Sequence, residues 1–399
     1  MLDPALEADG IGASDFSAAL AADWDARRGE IAGQLKGARV LVVGAAGTIG
    51  AASVRQLLPF GPARLELIDI DENGLARLAR DIRSRGDETP IGFNALDFAG
   101  WPGLALTQAA GPFDLVLNFA AVKHVRSEKN LFTLLHMIDV NVVRQHRFAA
   151  HLARRGPAGR HFVVSTDKAA NPASFMGATK ALLEAAVFAA SEGGPSATSA
   201  RFANVAYSSG SLLESYLQRF AAGQALAAPA DTRRYFISAR DAARICLLTQ
   251  LACPAGCIAI PRFDAASGAV ELAETAAAFL ERRGRRAVFV DTPEEAAARL
   301  GHPGPDYPVL LTARDTAGEK EIEVFRGEGE RVQPIGLTAL EAVMPAPADR
   351  GALTAALAEL AALTSGGRAA TPEMVQAIFA TVLPAFRHVA AQALLDDRI

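Results

Sequence analysis

Arg39-Val40-Leu41-Val42-Val43-Gly44-Ala45-Ala46-Gly47-Thr48-Ile49-Gly50 decides how the rest of this sequence is read. An apolar, mostly β-branched run makes a buried strand, three glycines at three-residue spacing make a turn, and a helical pattern continues to Leu58. Glycine lets the chain turn tightly and lets backbone amides approach a diphosphate. The helix start behind it adds unpaired N–H groups and partial positive charge. Opening a strand–turn–helix unit, Gly44, Gly47, Thr48, Ile49 and Gly50 predict a dinucleotide-binding loop, against the alternative of a purely structural turn.

Outward from this unit the pattern repeats. Leu65–Asp69 reads as a second strand, 73–85 as an Arg-rich amphipathic helix, and a third strand ends near Asp97. Asp114–Asn118, His161–Ser165 and Ser199–Val205 read as the fourth to sixth strands, with helical segments between them. Apolar strands alternating with helices imply right-handed crossovers and a parallel sheet covered on both faces. The expected fold is α/β: a Rossmann-type doubly wound sheet over 37–205. A helical, polar leader packed on the outside is expected over 1–36, a smaller mixed α/β substrate domain over 206–340 and a helical tail over 341–399. Thr371-Pro372 reads as a capped helix start within that tail.

Composition narrows the function. The chain has 399 residues, half of them hydrophobic, and a net charge of -4. That balance argues against sequence-independent nucleic-acid binding, which needs a dominant basic field. Three cysteines cannot build a disulfide framework, and Cys253-x-x-x-Cys257 has no partners at zinc spacing, so no metal site is expected. The longest uncharged apolar stretch, Ile245–Pro261, contains Pro254 and Gly256 and is too short for a membrane span. A cytoplasmic enzyme is expected.

The candidate site residues follow from strand ends. Asp69 lies 19 positions after Gly50, where a carboxylate bonds the ribose 2′-hydroxyl and repels a 2′-phosphate, which favours NAD over NADP. Asp97 is positioned for the adenine or for a helix cap. Ser165-Thr166-Asp167-Lys168 sets an acid and a base side by side at the C-terminal end of the fifth strand, where parallel sheets carry their chemistry. Only six lysines occur among 40 basic residues, four of them between 123 and 180. Lysine can lose its proton in a protein and arginine cannot, so this clustering points to amines with a chemical use.

Several segments together carry a family resemblance: Asn118-Phe119-Ala120-Ala121, Val122-Lys123-His124-Val125, Ser165 to Pro172, Met176-Gly177-Ala178-Thr179-Lys180, Arg201-Phe202-Ala203-Asn204-Val205, Ser208-Ser209-Gly210-Ser211 and Arg234-Tyr235-Phe236. In this order, over roughly 36–330, the chain resembles the extended short-chain dehydrogenase/reductases. Within them it resembles the nucleotide-sugar 4,6-dehydratases of polysaccharide and flagellin-glycan biosynthesis. The superfamily's usual base is the tyrosine of Tyr-x-x-x-Lys. None of the four tyrosines here has a lysine four residues on, and Met176 fills the slot before Lys180. The resemblance implies the Met-bearing branch, in which C5 of the sugar keeps its configuration.

The resemblance implies NAD-dependent 4,6-dehydration of a nucleotide hexose such as UDP-N-acetylglucosamine. It implies Asp167 as the acid at the departing 6-oxygen, Lys168 as the base at C5, and Thr166 at the 4-oxygen. For Lys168 to act as that base its pKa must be lowered. Lys180 is expected on the nicotinamide ribose, Asn141 in a water relay, and Asn118 and Ala120 beside the cofactor. Lys123 and His124 are expected toward the sugar. Arg201 and Arg234 are expected as forks for the diphosphate, with Asn204, Ser209 and Ser211 as neutral donors and Arg233 and Arg219 in support. Glu128 is read as a solvent partner of Lys129. A homo-oligomer is expected. The competing readings are a C4- or C5-epimerase of nucleotide sugars and a catalytically silent NAD-binding regulator.

Overall fold

The computed structural model describes residues 14–156, 159–263, 268–300, 302, 304–313, 321–346 and 348–388. The expectations for residues 1–13 of the leader and 389–399 of the tail lie outside them.

Six strands follow the expected alternation: β1 (Arg39–Val43), β2 (Arg64–Asp69), β3 (Ile91–Ala95), β4 (Leu115–Asn118), β5 (Arg160–Val164) and β6 (Ser196–Ala200). Beyond them lie β7 (Asn204–Val205), β8 (Leu226–Pro229), β9 (Arg233–Arg234), β10 (Phe236–Ile237), β11 (Ile258–Pro261) and β12 (Val270–Glu271). The last four are β13 (Arg286–Val290), β14 (Asp306–Thr312), β15 (Arg331–Gln333) and β16 (Leu340–Met344). The main sheet has nine strands in the order β15-β16-β11-β6-β5-β4-β1-β2-β3. All pairs from β11 to β3 are parallel, and β15 and β16 add an antiparallel edge. The chain winds outward from β1 to β3, then resumes at β4 on the other side of β1. The crevice at the C-terminal ends of β1 and β4 is therefore the switch point where such sheets bind ligands.

The leader keeps an outer face exposed, at Ala18, Ala22, Asp25 and Gln34, and packs the other against the sheet domain. In its helices, Ser14–Ala26 and Arg28–Leu35, the side chains of Phe16, Leu20, Trp24, Ile31 and Leu35 are buried in one core with Val40, Val42, Leu65 and Leu67. Phe16, Leu20 and Trp24 stand four residues apart, a helical apolar stripe inside a polar composition. The division at 205 and 340 does not follow the sheet, because β11, β15 and β16 return to it. What stands apart is a three-stranded sheet, β13-β14-β8, with its own core around Tyr216, Phe279 and Val309.

The tail helices Arg350–Thr364 and Pro372–Val382 pack on their own chain. Leu353, Leu357, Leu360, Ile378 and Phe379 are buried with Leu134, Ile138, Phe175, Ala178 and Leu182. Thr371 caps the second of them, its side chain accepting from Met374 N, with Pro372 in the first turn.

Candidate active site

The glycine loop is crowded by backbone. Gly44 has a φ of +74°, and a Cβ there would lie 2.9 Å from Ala120 N; a Cβ on Gly50 would lie 2.1 Å from Gly44 O. Only glycine allows β1, the loop after β4 and the helix Thr48–Leu57 to approach this closely. Gly47 heads that helix and provides no side-chain cap. At the end of β2, Asp69 accepts from Ala46 N at 2.9 Å and from Asp71 N at 3.0 Å, which ties it to the loop. Asp97 accepts from Ala99 N at 3.1 Å and pairs with Arg144, which also pairs with Asp139 at 2.7 Å.

Asn118 is buried. It donates to Gln145 Oε1 at 2.8 Å and accepts from Ala120 N at 3.1 Å, which shapes the turn after β4. Asn141 lies in a one-turn π-helix, Asp139–Val143, a feature common at functional sites. It accepts from Val122 N and donates to Val122 O, both at 2.8 Å, and donates to Thr179 Oγ1 at 3.1 Å. It therefore joins the loop carrying Lys123 to the helix Phe175–Ala190, which carries Met176 and Lys180.

After β5 the chain turns through Thr166, Asp167 and Lys168. Thr166 Oγ1 donates to Asp167 Oδ1 at 2.8 Å; the same oxygen accepts from Lys168 N at 2.9 Å and from Lys168 Nζ at 3.1 Å. A second carboxylate reaches the amine: Glu323 Oε1 lies 3.4 Å from Lys168 Nζ, and Glu323 is 4% exposed. The expectation of a lowered Lys168 pKa is corrected. Burial works in that direction, but Asp167 and Glu323 outweigh it together with the opposing charge of Arg234, and the amine holds its proton above the ordinary lysine value. Nothing in the sequence marks Glu323, which lies more than 150 residues from Lys168.

Lys180 is fully buried and donates to Val164 O at 2.9 Å. Burial brings its pKa down to about 8, against the opposing pull of Glu184. Met176 is buried one turn before it. Its backbone N–H donates to Glu128 Oε1 at 2.7 Å, and Glu128 Oε2 lies 3.2 Å from His388 Nε2. Glu128 is thus a buried carboxylate at the start of the helix carrying Met176, not a solvent partner of Lys129. Charge at a helix N-terminus explains the placement.

On the facing side, Lys123 Nζ donates to Ser208 Oγ at 3.5 Å, and burial lowers its pKa against the pull of Glu214. The His124 ring lies against Gly210, where a Cβ would sit 2.3 Å from His124 Cε1 and the φ is +71°. Ser209 N donates to Thr48 Oγ1 at 3.4 Å, joining this segment to the glycine loop. Ser211 caps the helix Leu212–Ala221 by accepting from Glu214 N at 3.2 Å. Asn204 stands on β7 beside β10. Arg234 is buried, donates to Arg233 O at 2.8 Å and to Glu321 O at 3.2 Å, and lies within electrostatic reach of Lys168. Arg233 and Arg219 donate to the carbonyls of Ala269 and Ala225.

Arg201 is the clearest departure from expectation. It is 2% exposed; it donates to both oxygens of Glu184 at 2.9 and 2.6 Å and to both oxygens of Glu330 at 2.7 Å. These two carboxylates take up its guanidinium, so it ties the helix Phe175–Ala190 to the segment before β15 instead of waiting for a diphosphate.

The family described as "Polysaccharide biosynthesis protein" matches residues 40–293. An uncharacterized membrane protein of Methanocaldococcus jannaschii is 31% identical over 225 residues, 55% of this chain and 64% of that protein. The capsular polysaccharide biosynthesis protein CapD of Staphylococcus aureus is 27% identical over 227 residues, 54% of this chain and 36% of its own length. The chain therefore spans only part of the length of these relatives. Among solved structures, Pen from Bacillus thuringiensis superimposes with a TM-score of 0.64 at 19% identity, covering 78% of this chain and 89% of that one. A UDP-N-acetylglucosamine 4-epimerase from Methanobrevibacter ruminantium, in complex with UDP-N-acetylmuramic acid, gives 0.54 at 15% identity, covering 74% and 91%. At these identities the likeness is one of fold. Among the described residues no helix is long and apolar enough to cross a membrane.

Proposed function

Because the chain belongs to the polysaccharide biosynthesis protein family, we propose that it is an NAD-dependent enzyme acting on a nucleotide sugar. Its reaction in this reading is 4,6-dehydration of UDP-N-acetylglucosamine with C5 configuration retained. The observation that carries the reading is the contact of Asp167 with Lys168 at the C-terminal end of β5, eight residues before a buried Met176. A methionine cannot exchange a proton, so the acid–base work falls to the Asp167–Lys168 pair.

The glycine loop, the uncapped helix start at Gly47 and the carboxylate of Asp69 are a donor and acceptor set suited to a dinucleotide. Bound NAD supplies a hydride acceptor for C4 and a hydride donor for C6. The remaining steps belong to the chain. Thr166 bonds the 4-oxygen. Once C4 is a ketone its neighbour C5 becomes acidic; one member of the Asp167–Lys168 pair removes the C5 proton and the other protonates the departing 6-oxygen. Lys180 holds the nicotinamide ribose, Lys123 and His124 line the sugar, and Arg234 with Ser209 serves the diphosphate. The expected assembly is a homo-oligomer.

A C4-epimerase is the second reading, favoured by the 4-epimerases among the structural neighbours. One incubation separates them. With NAD and UDP-N-acetylglucosamine, a dehydratase yields a product lighter by one water in the mass spectrum. An epimerase gives unchanged mass with a new sugar isomer, and a silent NAD-binding protein returns the substrate intact. Product of unchanged mass would sink the dehydration reading.

A further inference from the structure

We propose that Glu323 is a positioning residue of this site: it keeps Lys168 an ammonium, so that Lys168 gives a proton to the departing 6-oxygen and the Asp167 carboxylate takes the proton from C5. This deepens, and rests on, the dehydration reading, and it reverses the roles that the resemblance implies for the two neighbours.

The geometry is a cation between two anions. Lys168 Nζ is 3.1 Å from Asp167 Oδ1 and 3.4 Å from Glu323 Oε1. Among the described residues, the charged groups facing it are Asp167, Glu323 and, opposing them, Arg234. Arg234 also donates to the carbonyls of Arg233 and Glu321. Both carboxylates are almost fully buried, where charge interactions are screened less than at the surface. Asp167 Oδ1 already accepts from Thr166 Oγ1, Lys168 N and Lys168 Nζ. That oxygen is therefore an acceptor only, held by three donors. Three donors on one oxygen, with a second carboxylate on the amine, suit a carboxylate beside an ammonium.

The chemistry balances in this direction. After oxidation at C4, Asp167 takes the C5 proton and the C–H electron pair becomes the C5=C6 double bond. The C6–O bond breaks, and the oxygen leaves with its electron pair, takes a proton from Lys168 Nζ and departs as water. The hydride taken from C4 returns to C6, and Asp167 gives its proton back to C5 from the side on which it was removed, which retains the configuration. As C4 is oxidised the 4-hydroxyl loses its proton to solvent water, since Lys168 is already an ammonium and Asp167 is kept for C5. Lys168 regains a proton from solvent after the water departs, so the cycle balances.

The test uses the NAD-loaded protein. With six lysines in the chain, selective isotopic labelling of lysine side chains gives a readable NMR spectrum, and Lys168→Arg identifies the Lys168 signal. The expected result is an ammonium at pH 8 that titrates above ordinary lysine. In Glu323→Gln its pKa should fall by about one unit or more, the effect of losing an opposite charge within about 4–6 Å. Glu323→Asp, which keeps the charge, should fall less. Turnover of Glu323→Gln should lose its alkaline limb at correspondingly lower pH with no gain on the plateau. If Lys168 were the base, the same change would populate the free amine and raise the plateau. A neutral Lys168 at pH 8 in the unsubstituted protein, an unmoved signal in folded Glu323→Gln, or a faster plateau overturns the proposal. The first of these needs no variant, so misfolding of Glu323→Gln does not shield it. If Lys168 titrates as expected while no water is lost from the nucleotide sugar, the dehydration reading and the donor role fall, and the Lys168–Glu323 pairing stands.

Discussion

Lys168 is where charge and proton transfer can be told apart. Lys168→Ala should lower turnover by at least ~10²-fold, the lower end of what general acid–base catalysis contributes. NAD binding should be nearly unchanged, because the glycine loop and Asp69 are untouched. Lys168→Arg should not rescue, since arginine keeps the positive charge between Asp167 and Glu323 but cannot release a proton. Steady-state turnover and a cofactor titration check both statements; an arginine variant near the unsubstituted rate would make Lys168 a purely electrostatic residue. The lysine count drew attention to these amines, and Lys123, Lys168 and Lys180 all depart from the ordinary lysine value. The direction was not legible. Burial lowers Lys123 and Lys180, whereas Lys168 is raised by Asp167 beside it and by Glu323, which sequence distance hides. Arg201 was misread for the same reason, because Glu184 and Glu330 meet it only in the folded chain.

At the scale of the element, the helix Phe175–Ala190 is held at its start from two distant parts of the chain. Ser174 caps it by accepting from Gly177 N at 3.2 Å, Glu128 accepts from Met176 N, and the His388 ring lies 4.4 Å from that of Phe175 while its Nε2 meets Glu128. Glu128→Ala should cost about 2 kcal/mol, the range for leaving a buried backbone donor unpaired. Glu128→Gln should cost less, since an amide oxygen still accepts from Met176 N. Denaturant unfolding of the two variants checks the order; equal costs would mean that the carboxylate charge, and not the hydrogen bond, holds the helix start. The alternation placed a helical segment between the fifth and sixth strands, where this helix lies. Its anchors escaped because a Glu-Lys pair in a loop reads as solvated, and His388 reaches Glu128 only when the tail folds back.

For the molecule as a whole, the buried His161 on β5 sets a pH limit on stability. Its ring packs edge-on against Phe148, and neither ring nitrogen has a hydrogen-bond partner among the described residues. Burial takes its pKa from 6.5 to about 4. Between those values the unfolded chain binds the proton and the folded chain does not, so stability falls as pH drops through this window. The loss attributable to His161 should approach about 3 kcal/mol near pH 4. His161→Phe should remove that part of the dependence, leaving a smaller difference in unfolding free energy between pH 7 and pH 4; an unchanged difference would mean that His161 is hydrated in solution. Strand alternation, the glycine loop, Asp69 and the Thr166-Asp167-Lys168 turn were determined by the sequence alone, because each is local: periods of two and 3.6 residues, a backbone conformation open to glycine, a strand end. The burial of the leader helices, the return of β11, β15 and β16 to the main sheet, the docking of the tail and the approach of Glu323 to Lys168 were decided only by the tertiary structure. They depend on which apolar faces find each other and on charges that meet after the chain has crossed the sheet, and neither leaves a periodic mark in the order of residues.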